Sequence, residues 1–266
     1  MNFLMITNDP ILAQHSELAG INRIFIDLER NGKAERQGHL DTFISTHCMS
    51  DIAPVKAVLN QAELLVRLNP LHNRSYYEIE QALECGADII MLPMFTSADE
   101  VSKFSNMIDG RAKFIPLIET KEALENIDSI VNVKGIDEIF IGLNDLHLQM
   151  ELTFMFELLS KDYFENIVRT IRSAGIPFGF GGIARIGEGA IPAEMVLSEH
   201  LRMGSSSVIL SRAFRDSTPI DFNLDKEIQK LNLCINELSL RTVEQIKDDE
   251  FKFNQKVNDF VKGRLC

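Results

Sequence analysis

The stretch GADIIMLPMFTSADEVSKFSNMIDGRAKFIPLIET, residues 86–120, contains a complete strand–helix–strand unit. Its first and last parts are near-continuous apolar runs, which are typical of parallel strands buried on both faces. The segment between them predicts a helix over residues 97–108, because Ser97 and Glu100 have the spacing of a capping box. Gly86 is the kind of residue that ends a helix immediately before a strand. The stretch therefore predicts parallel strands joined by helices.

The same kind of unit recurs along most of the chain. Apolar, β-branched runs predict strands over residues 1–7, 23–29, 63–69, 88–94, 113–120, 137–146, 177–183 and 206–211. Helix-forming stretches lie between several of them, at residues 10–19, 75–85, 97–108 and 121–131. Eight alternating units favour a closed (β/α)8 barrel, the TIM barrel. An open doubly wound sheet is the alternative, but no GxGxxG motif follows the first run.

Two segments do not fit a minimal barrel. Residues 30–58 form a long polar segment after the second predicted strand, at the end of a barrel where chemistry takes place. Residues 223–266 have the recurring apolar positions of amphipathic helices. We therefore expect a barrel domain over residues 1–222. A C-terminal helical extension over residues 223–266 is expected to pack on the barrel or on a neighbouring subunit.

The composition is that of an ordinary globular protein, and it restricts the partners. The 266 residues include 27 Lys and Arg against 39 Asp and Glu, a net charge of −12, which disfavours nucleic acid as a partner. The four cysteines lack the CxxC spacing of zinc or redox sites. No apolar run approaches the roughly 18 residues that a membrane span requires, and the first residues lack a signal-peptide pattern. The sequence predicts a cytoplasmic protein without membrane contact.

Polar side chains lie at the ends of several predicted strands, and such positions converge on one site in a barrel. Glu119 and Asp145 end neighbouring runs, so their carboxylates are expected to share one hard divalent cation, Mg²⁺ or Mn²⁺. Arg67, at the end of the third run, offers a planar guanidinium to a carboxylate. Each residue alone is more simply an ordinary polar cap, but the three together suit a 2-keto acid and the stabilisation of its enolate.

Five motifs resemble those of the HpcH/HpaI aldolase and citrate lyase β-subunit family. They are IFIDLE (24–29), LLVRLNP (64–70), GADIIMLP (86–93), FIPLIET (114–120) and IDEIFIGLNDL (136–146), and they occur in the family's order. The resemblance implies a (β/α)8 barrel, a divalent cation and the cleavage or formation of a carbon–carbon bond. The bond would lie next to an enolate derived from pyruvate or an acyl-CoA.

The resemblance also implies roles for single residues. Glu119 and Asp145 would bind the metal, and Arg67 would hold the substrate carboxylate and stabilise enolate charge. Glu29 would lie behind these residues and orient metal-bound water. Backbone amides in the turn after the sixth predicted strand would help to hold the substrate carboxylate. That turn consists of Gly142, Leu143, Asn144 and Asp145.

The sequence departs from the family at the residue after Glu29. The pyruvate aldolases have a histidine there that is implicated in proton transfer, and the citrate lyases often have an acidic residue, whereas this chain has Arg30. We therefore count Arg30 among the candidate catalytic residues. It begins a cationic loop that suits an acidic substrate or ion pairs with nearby carboxylates. His39 and His47 in the same loop are candidate proton acceptors.

Together these features favour a metal-dependent carbon–carbon lyase that acts on a small 2-keto acid, such as pyruvate or oxaloacetate, or on an acyl-CoA. Two alternatives stay open. A related enzyme could hydrolyse a thioester or decarboxylate its substrate at the same metal site, or a barrel could bind a keto acid without catalysis. Members of the family commonly form trimers or hexamers, so we expect a homo-oligomer.

Overall fold

The computed structural model describes residues 1–30, 46–215 and 222–265. Within them eight parallel strands pair in chain order and the eighth closes on the first, so the predicted (β/α)8 barrel is confirmed. The strands are β1 (Asn2–Ile6), β2 (Arg23–Asp27), β3 (Glu63–Arg67), β4 (Ile89–Leu92), β5 (Lys113–Ile118), β6 (Ile139–Ile141), β7 (Phe178–Ile183) and β8 (Ser207–Leu210). Each predicted apolar run contains one of these strands.

Helices lie between the strands and at the C-terminal end of the chain. In the described residues they are α1 (Pro10–Leu18), α2 (Ile52–Lys56), α3 (Ser75–Glu84), α4 (Ala98–Ile108), α5 (Lys121–Glu125), α6 (Ile127–Ile130), α7 (Leu143–Gln149), α8 (Asp162–Ser173), α9 (Ala193–Met203), α10 (Leu224–Ser239) and α11 (Val243–Leu265). The predicted capping box is present at α4, where Ser97 and Glu100 accept each other's backbone N–H. None of these helices has the length and apolar character to span a membrane.

Two predictions of element bounds are wrong. The run over residues 137–146 is a strand only in β6, and α7 begins at Leu143. The apolar pattern hid this change, because Leu143 and Leu146 are buried on one face of a helix just as strand residues are buried in a sheet. Asp145 therefore lies in the first turn of a helix, where a carboxylate is favoured by the helix dipole. The predicted helix over residues 121–131 is divided into α5 and α6 at Asn126.

The core has two layers, one inside the barrel and one between the strands and the helices. Phe25, Leu65, Met91 and Phe140 belong to the inner layer and pack together in the lumen. The outer layer is larger and includes the apolar faces of most helices. Successive strand residues point to opposite faces, so a strand between two apolar layers appears in the sequence as a continuous apolar run.

A buried ion pair lies at the N-terminal end of the barrel. The Arg23 guanidinium, at the start of β2, donates to Glu138 at 2.7 Å, and the Ser207 hydroxyl also donates to Glu138. Gly179 on β7 leaves room for this group, because a Cβ there would lie 2.6 Å from the carbonyl oxygen of Ser207. At this end of the barrel, side chains are expected to contribute to stability rather than to catalysis.

The C-terminal helices α10 and α11 pack on α9 of the same chain. The residues that α10 and α11 bury are Leu224, Ile228, Leu231, Phe253 and Val257. Helix α11 also contacts the 3₁₀ helix Met155–Ser160, which follows α7. The extension thus covers one side of the barrel through contacts within the chain, and its contact with a neighbouring subunit stays a prediction.

His200 on α9 is completely buried. Its ring stacks on Phe180 of β7 with the two centroids 3.7 Å apart, and its Nδ1 lies 2.9 Å from the hydroxyl of Ser205. Burial lowers the pKa of the His200 imidazole to about 3, whereas the pKa in an unfolded chain is about 6.5. The folded protein therefore keeps this ring neutral at pH values where the unfolded chain protonates it.

We expect His200 to make the protein less stable in mild acid. Between about pH 6.5 and pH 3 the unfolded chain binds a proton here that the folded chain does not, so the free energy of unfolding falls by about 1.4 kcal/mol per pH unit as the pH drops. Urea unfolding of the wild type and of His200→Leu between pH 7 and pH 5 measures this difference. The variant should show the shallower pH dependence, and equal slopes would contradict the prediction.

Candidate active site

A cavity of about 480 Å³ opens at the carboxyl ends of the barrel strands. Its charged lining residues come from several strand ends. They are Asp27, Arg67, Glu119, Asp145, Arg212 and Arg215. The four residues of the predicted substrate-binding turn, 142–145, also line it. A concave, largely apolar cavity with a few charged groups is typical of a site for a small molecule.

Arg67 is held by a bidentate ion pair with Asp27. Its Nε and Nη2 each donate to one carboxylate oxygen of Asp27 at 2.8 Å, and Oε2 of Glu29 lies 3.3 Å from Nη2. Burial by itself would lower the pKa of Arg67, but the charges of Asp27 and Glu29 raise this pKa above its ordinary value. The guanidinium is thus fixed in orientation, and it stays cationic in the wall of the cavity.

The Glu119 carboxylate is buried and is positioned by neighbouring backbone. Its Oε1 accepts the N–H of Met94 at 3.1 Å. Met94 has a φ of +53°, a left-handed conformation that is uncommon for a residue with a side chain. A Cβ on Gly142 would lie 2.8 Å from Oε2 of Glu119, so the end of β6 approaches this closely only because residue 142 is a glycine. The left-handed backbone of Met94 is strained, and backbone strain of this kind is typical of a functional site.

Glu119 and Asp145 line the same cavity, and each is more than nine-tenths buried. Two buried carboxylates repel each other, and a bound cation removes that repulsion. Carboxylate oxygens are the ligands that Mg²⁺ and Mn²⁺ prefer, with water or substrate oxygens completing the coordination. No group of three or more His, Cys, Asp or Glu side chains is arranged for a metal in the part of the chain that the structure describes. Glu119 and Asp145 offer only carboxylate oxygens, and this donor type fits a hard divalent cation better than zinc, which usually takes His or Cys ligands.

Glu29 and Arg30 follow β2, the first buried and the second exposed. Glu29 is 1% exposed and contacts Arg67. The Arg30 guanidinium donates to the carbonyl oxygen of His47 at 2.9 Å, and the Arg30 N–H donates to the side chain of Asn69 at 3.0 Å. Of the candidate residues from the sequence, the cavity thus brings together Arg67, Glu119 and residues 142–145, whereas Glu29 and Arg30 do not line it.

His47 is buried beside the end of β2. Its Nδ1 accepts the backbone N–H of Asp27 at 3.1 Å, so the proton of the neutral ring is on Nε2. The imidazole is therefore a support for the residue that binds Arg67, and it does not line the cavity. His39, the other candidate proton acceptor, lies outside the described residues.

Three of the charged lining residues have no role predicted from the sequence. Asp27 is the last residue of β2 and Arg212 comes two residues after β8, so the strand-end position that singled out Glu119 was a usable signal for both. Arg215 lies just beyond the 3₁₀ helix Arg212–Phe214, where the sequence shows no comparable signal.

One wall of the cavity comes from the segment after α7, and the sequence shows no sign of it. Phe154 and Phe156 line the cavity, and each contacts an aromatic ring of α11. The ring centroids of Phe154 and Phe260 are 4.3 Å apart, and those of Phe156 and Phe253 are 6.4 Å apart. The C-terminal extension therefore supports the site directly.

Comparison with known proteins gives consistent matches. The family model for HpcH/HpaI aldolase/citrate lyase matches residues 1–179. A 4-hydroxy-4-methyl-2-oxoglutarate aldolase of Chaetomium globosum is 25% identical over 220 residues, which are 69% of this chain and 75% of that protein. A 2-keto-3-deoxy-L-rhamnonate aldolase of Shigella dysenteriae is 26% identical over 137 residues, 40% of this chain. The match spans about half of that relative, 51% of its length.

Solved structures share the fold at low sequence identity. An HpcH/HpaI aldolase/citrate lyase family protein from Burkholderia cenocepacia has a TM-score of 0.62 at 13% identity, over 90% of this chain and 94% of that one. The citrate synthase SbnG has a TM-score of 0.61 at 14% identity, over 90% of this chain and 93% of that one. At these identities the likeness shows the fold alone.

Proposed function

This chain belongs to the HpcH/HpaI aldolase/citrate lyase family, and we propose that it is a divalent-metal-dependent carbon–carbon lyase. It would act through the enolate of a 2-keto acid such as pyruvate or oxaloacetate. The observation that carries the proposal is one cavity that holds two buried carboxylates, Glu119 and Asp145, together with the cationic Arg67. The aldolases that the chain resembles support the same class of reaction.

Glu119 and Asp145 would hold Mg²⁺ or Mn²⁺. When bound, such an ion supplies positive charge that stabilises the negative charge of an enolate oxygen. The chain's own contribution is to place its carboxylates in advance. The Met94 N–H and the close approach of Gly142 hold Glu119 before any ligand arrives, so little reorganisation is needed on binding.

Arg67 would bind the carboxylate of the keto acid and stabilise the charge that develops on the enolate. Asp27 engages Nε and Nη2 of Arg67, and Nη1 makes no hydrogen bond to the described residues, so two N–H donors are left for substrate. A guanidinium that is already fixed loses little freedom when it binds. Residues 143–145 would add backbone donors, because the first N–H groups of a helix have no acceptor within that helix. The N–H of Gly142, also predicted to bind substrate, donates instead to the carbonyl oxygen of Ile118 at 2.9 Å.

Glu29 and Arg30 would act through Arg67 and its support. The carboxylate of Glu29 helps to keep Arg67 cationic. Arg30 binds the carbonyl of His47, and the ring of His47 binds the backbone of Asp27. A substitution at Arg30 would therefore disturb the Arg67–Asp27 pair indirectly, through the contact of Arg30 with His47 and that of His47 with Asp27.

Exchange of the methyl protons of pyruvate in D₂O tests the proposed function. We expect NMR to show exchange that requires Mg²⁺ or Mn²⁺ and stops on addition of EDTA, because removal of a methyl proton forms the enolate. Oxaloacetate, tested in parallel for conversion to pyruvate, provides a second enolate source. Absence of both reactions with either metal would contradict the proposal.

We also propose that the protein is a homo-oligomer, a trimer or a hexamer. Large apolar side chains on and between the C-terminal helices are exposed, namely Leu233, Leu240, Val243 and Phe251. Exposed apolar groups of this kind are typical of contacts between subunits. Light scattering should give three or six times the chain mass of 30.1 kDa, and Leu240→Ser with Phe251→Ser should lower that mass. A monomeric wild type would contradict the proposal.

A further inference from the structure

One side of the cavity is apolar, and the reaction proposed above gives it no role. The wall segment, Phe154, Met155 and Phe156, forms part of this side. We propose that the wall segment binds the carbonyl compound that the enolate attacks, and that it selects an aldehyde with an apolar, aliphatic chain. The inference rests on the proposed function and names the class of its second substrate.

The apolar side adjoins the charged groups that would bind the keto acid. Asp145 lies in the first turn of α7, and the wall segment follows the same helix. Ile183 at the end of β7 and Leu210 at the end of β8 add further apolar lining. Because β6, β7 and β8 are neighbours in the barrel, these side chains lie on one side of its mouth. An acceptor placed there beside the enolate contacts an apolar surface.

The wall segment is held in place before any acceptor binds. Oε1 of Glu157 accepts the N–H of Thr153 at 2.9 Å and the N–H of Phe154 at 2.8 Å, which fixes the start of the 3₁₀ helix Met155–Ser160. The rings of Phe154 and Phe156 meet edge to face with their centroids 5.4 Å apart, a stabilising arrangement. Helix α11 packs against both rings. Binding an apolar group to this surface therefore requires little reordering.

Met155 is the residue of the wall segment that is most accessible to a ligand. Phe154 and Phe156 are 7% and 6% exposed, whereas Met155 is only partly buried and also lines the cavity. Its thioether side chain is flexible and polarisable, so it can adapt to an alkyl chain. An aliphatic acceptor buries apolar area against Met155, whereas a polar group in the same place loses hydrogen bonds to water. The wall segment thus favours apolar acceptors.

Two aldehydes of different length test the inference. In the reaction the methyl carbon of pyruvate loses a proton and bonds to the aldehyde carbon, and the aldehyde oxygen takes up a proton. Propanal and pentanal have the same reactive end, but pentanal has two more CH₂ groups. With pyruvate and Mg²⁺ present, we expect the wild type to have a kcat/KM about tenfold higher for pentanal, because each CH₂ buries apolar area. NMR measures the consumption of both substrates.

Variants of Met155 separate the apolar contact from folding. Met155→Gln keeps the length of the side chain but makes it polar, so the preference for pentanal should fall to about twofold. Met155→Leu stays apolar and should keep most of the preference. The ratio of the two aldehydes within each variant is independent of a general loss of activity, and thermal unfolding shows whether the variant is folded.

Tyr76→Gln is the matched control, because Tyr76 is exposed on α3 and does not line the cavity. This variant should keep the wild-type ratio. Equal kcat/KM of the wild type for propanal and pentanal, or an unchanged ratio in Met155→Gln, would overturn the inference.

An anionic aldehyde provides the opposing test. 5-Oxopentanoate has a carboxylate in place of the methyl group of pentanal, and Arg212 and Arg215 also line the cavity. If the wall segment selects the acceptor, pentanal reacts with the higher kcat/KM. A preference of the wild type for 5-oxopentanoate would also overturn the inference.

Failure of the proposed function gives a different result. Exchange of the methyl protons of pyruvate needs no aldehyde, so it reports the enolate site alone. If exchange occurs and neither aldehyde is consumed, only the further inference falls. If exchange is absent, saturation-transfer NMR of pentan-1-ol decides: transfer to its methyl group that is weakened in Met155→Gln supports the wall segment as an apolar binding site, and no transfer overturns it.

Discussion

Replacement of Glu119 by glutamine is expected to lower the metal-dependent exchange of pyruvate methyl protons about a thousandfold, because a lost metal charge removes several kcal/mol of stabilisation from the transition state. The glutamine keeps the size of the side chain and an oxygen that can accept the N–H of Met94. The fold should therefore survive, and circular dichroism with thermal unfolding in EDTA can confirm this. The exchange rate itself is measured by NMR.

Binding of Mn²⁺ gives a readout that does not depend on turnover. Electron paramagnetic resonance should show Mn²⁺ bound to the wild type and mostly free with Glu119→Gln or Asp145→Asn. Glu122→Gln is the matched control, because Glu122 is exposed on α5 only three residues from Glu119 and does not line the cavity. Wild-type exchange or wild-type Mn²⁺ binding in Glu119→Gln would remove the basis of the metal assignment.

The second large effect is expected at Asp27. Asp27→Asn leaves the buried Arg67 without its bidentate partner, and breaking such a pair typically costs about 3–5 kcal/mol in the free energy of unfolding. Glu29 still offers Arg67 a carboxylate at 3.3 Å, so we expect a loss near the lower end, about 3 kcal/mol. Exchange should fall about a hundredfold, because the guanidinium loses its fixed orientation. Urea unfolding and NMR measure the two effects.

Glu29→Gln tests whether Arg67 depends on its bidentate pair with Asp27 or on any nearby negative charge. Asp27 accepts two hydrogen bonds of 2.8 Å, whereas Glu29 makes one longer contact, so the Glu29 variant should lose less stability and less activity. The same order should appear in the KM for pyruvate. A larger effect of Glu29→Gln, or a fully stable Asp27→Asn, would show that Asp27 does not hold Arg67 in place.

Most of the barrel could be predicted because each strand has a recognisable apolar pattern in its own short sequence. A strand between two apolar layers has apolar residues on both faces, and this pattern is present within five or six consecutive residues, as in IIML of β4 or KFIPLI of β5. The pattern is ambiguous where a buried helix follows a strand without a polar break. For this reason the sequence predicts a strand for residues 143–146, although they begin α7.

The candidate site could be predicted only in part, for a related reason. Glu119 and Arg67 stand at the ends of predicted strands, and their positions alone place them at the mouth of a barrel. Nothing local shows that Phe154 and Phe156 form one wall of the cavity, because that wall depends on helix α11, about a hundred residues further along the chain. The arginines after β8 depend in the same way on the closing of the barrel.

The sequence by itself determined the strand–helix alternation, the closed barrel and the carboxylates at its mouth, because these depend on patterns within short segments. The tertiary structure decided the pairing of the side chains. Arg67 and Asp27 are 40 residues apart, and Arg215 and Ile6 are 209 residues apart. Such partners meet only when β3 pairs with β2 and β8 pairs with β1. The orientation of Arg67 and the position of Arg215 beside β1 therefore follow from the closed barrel.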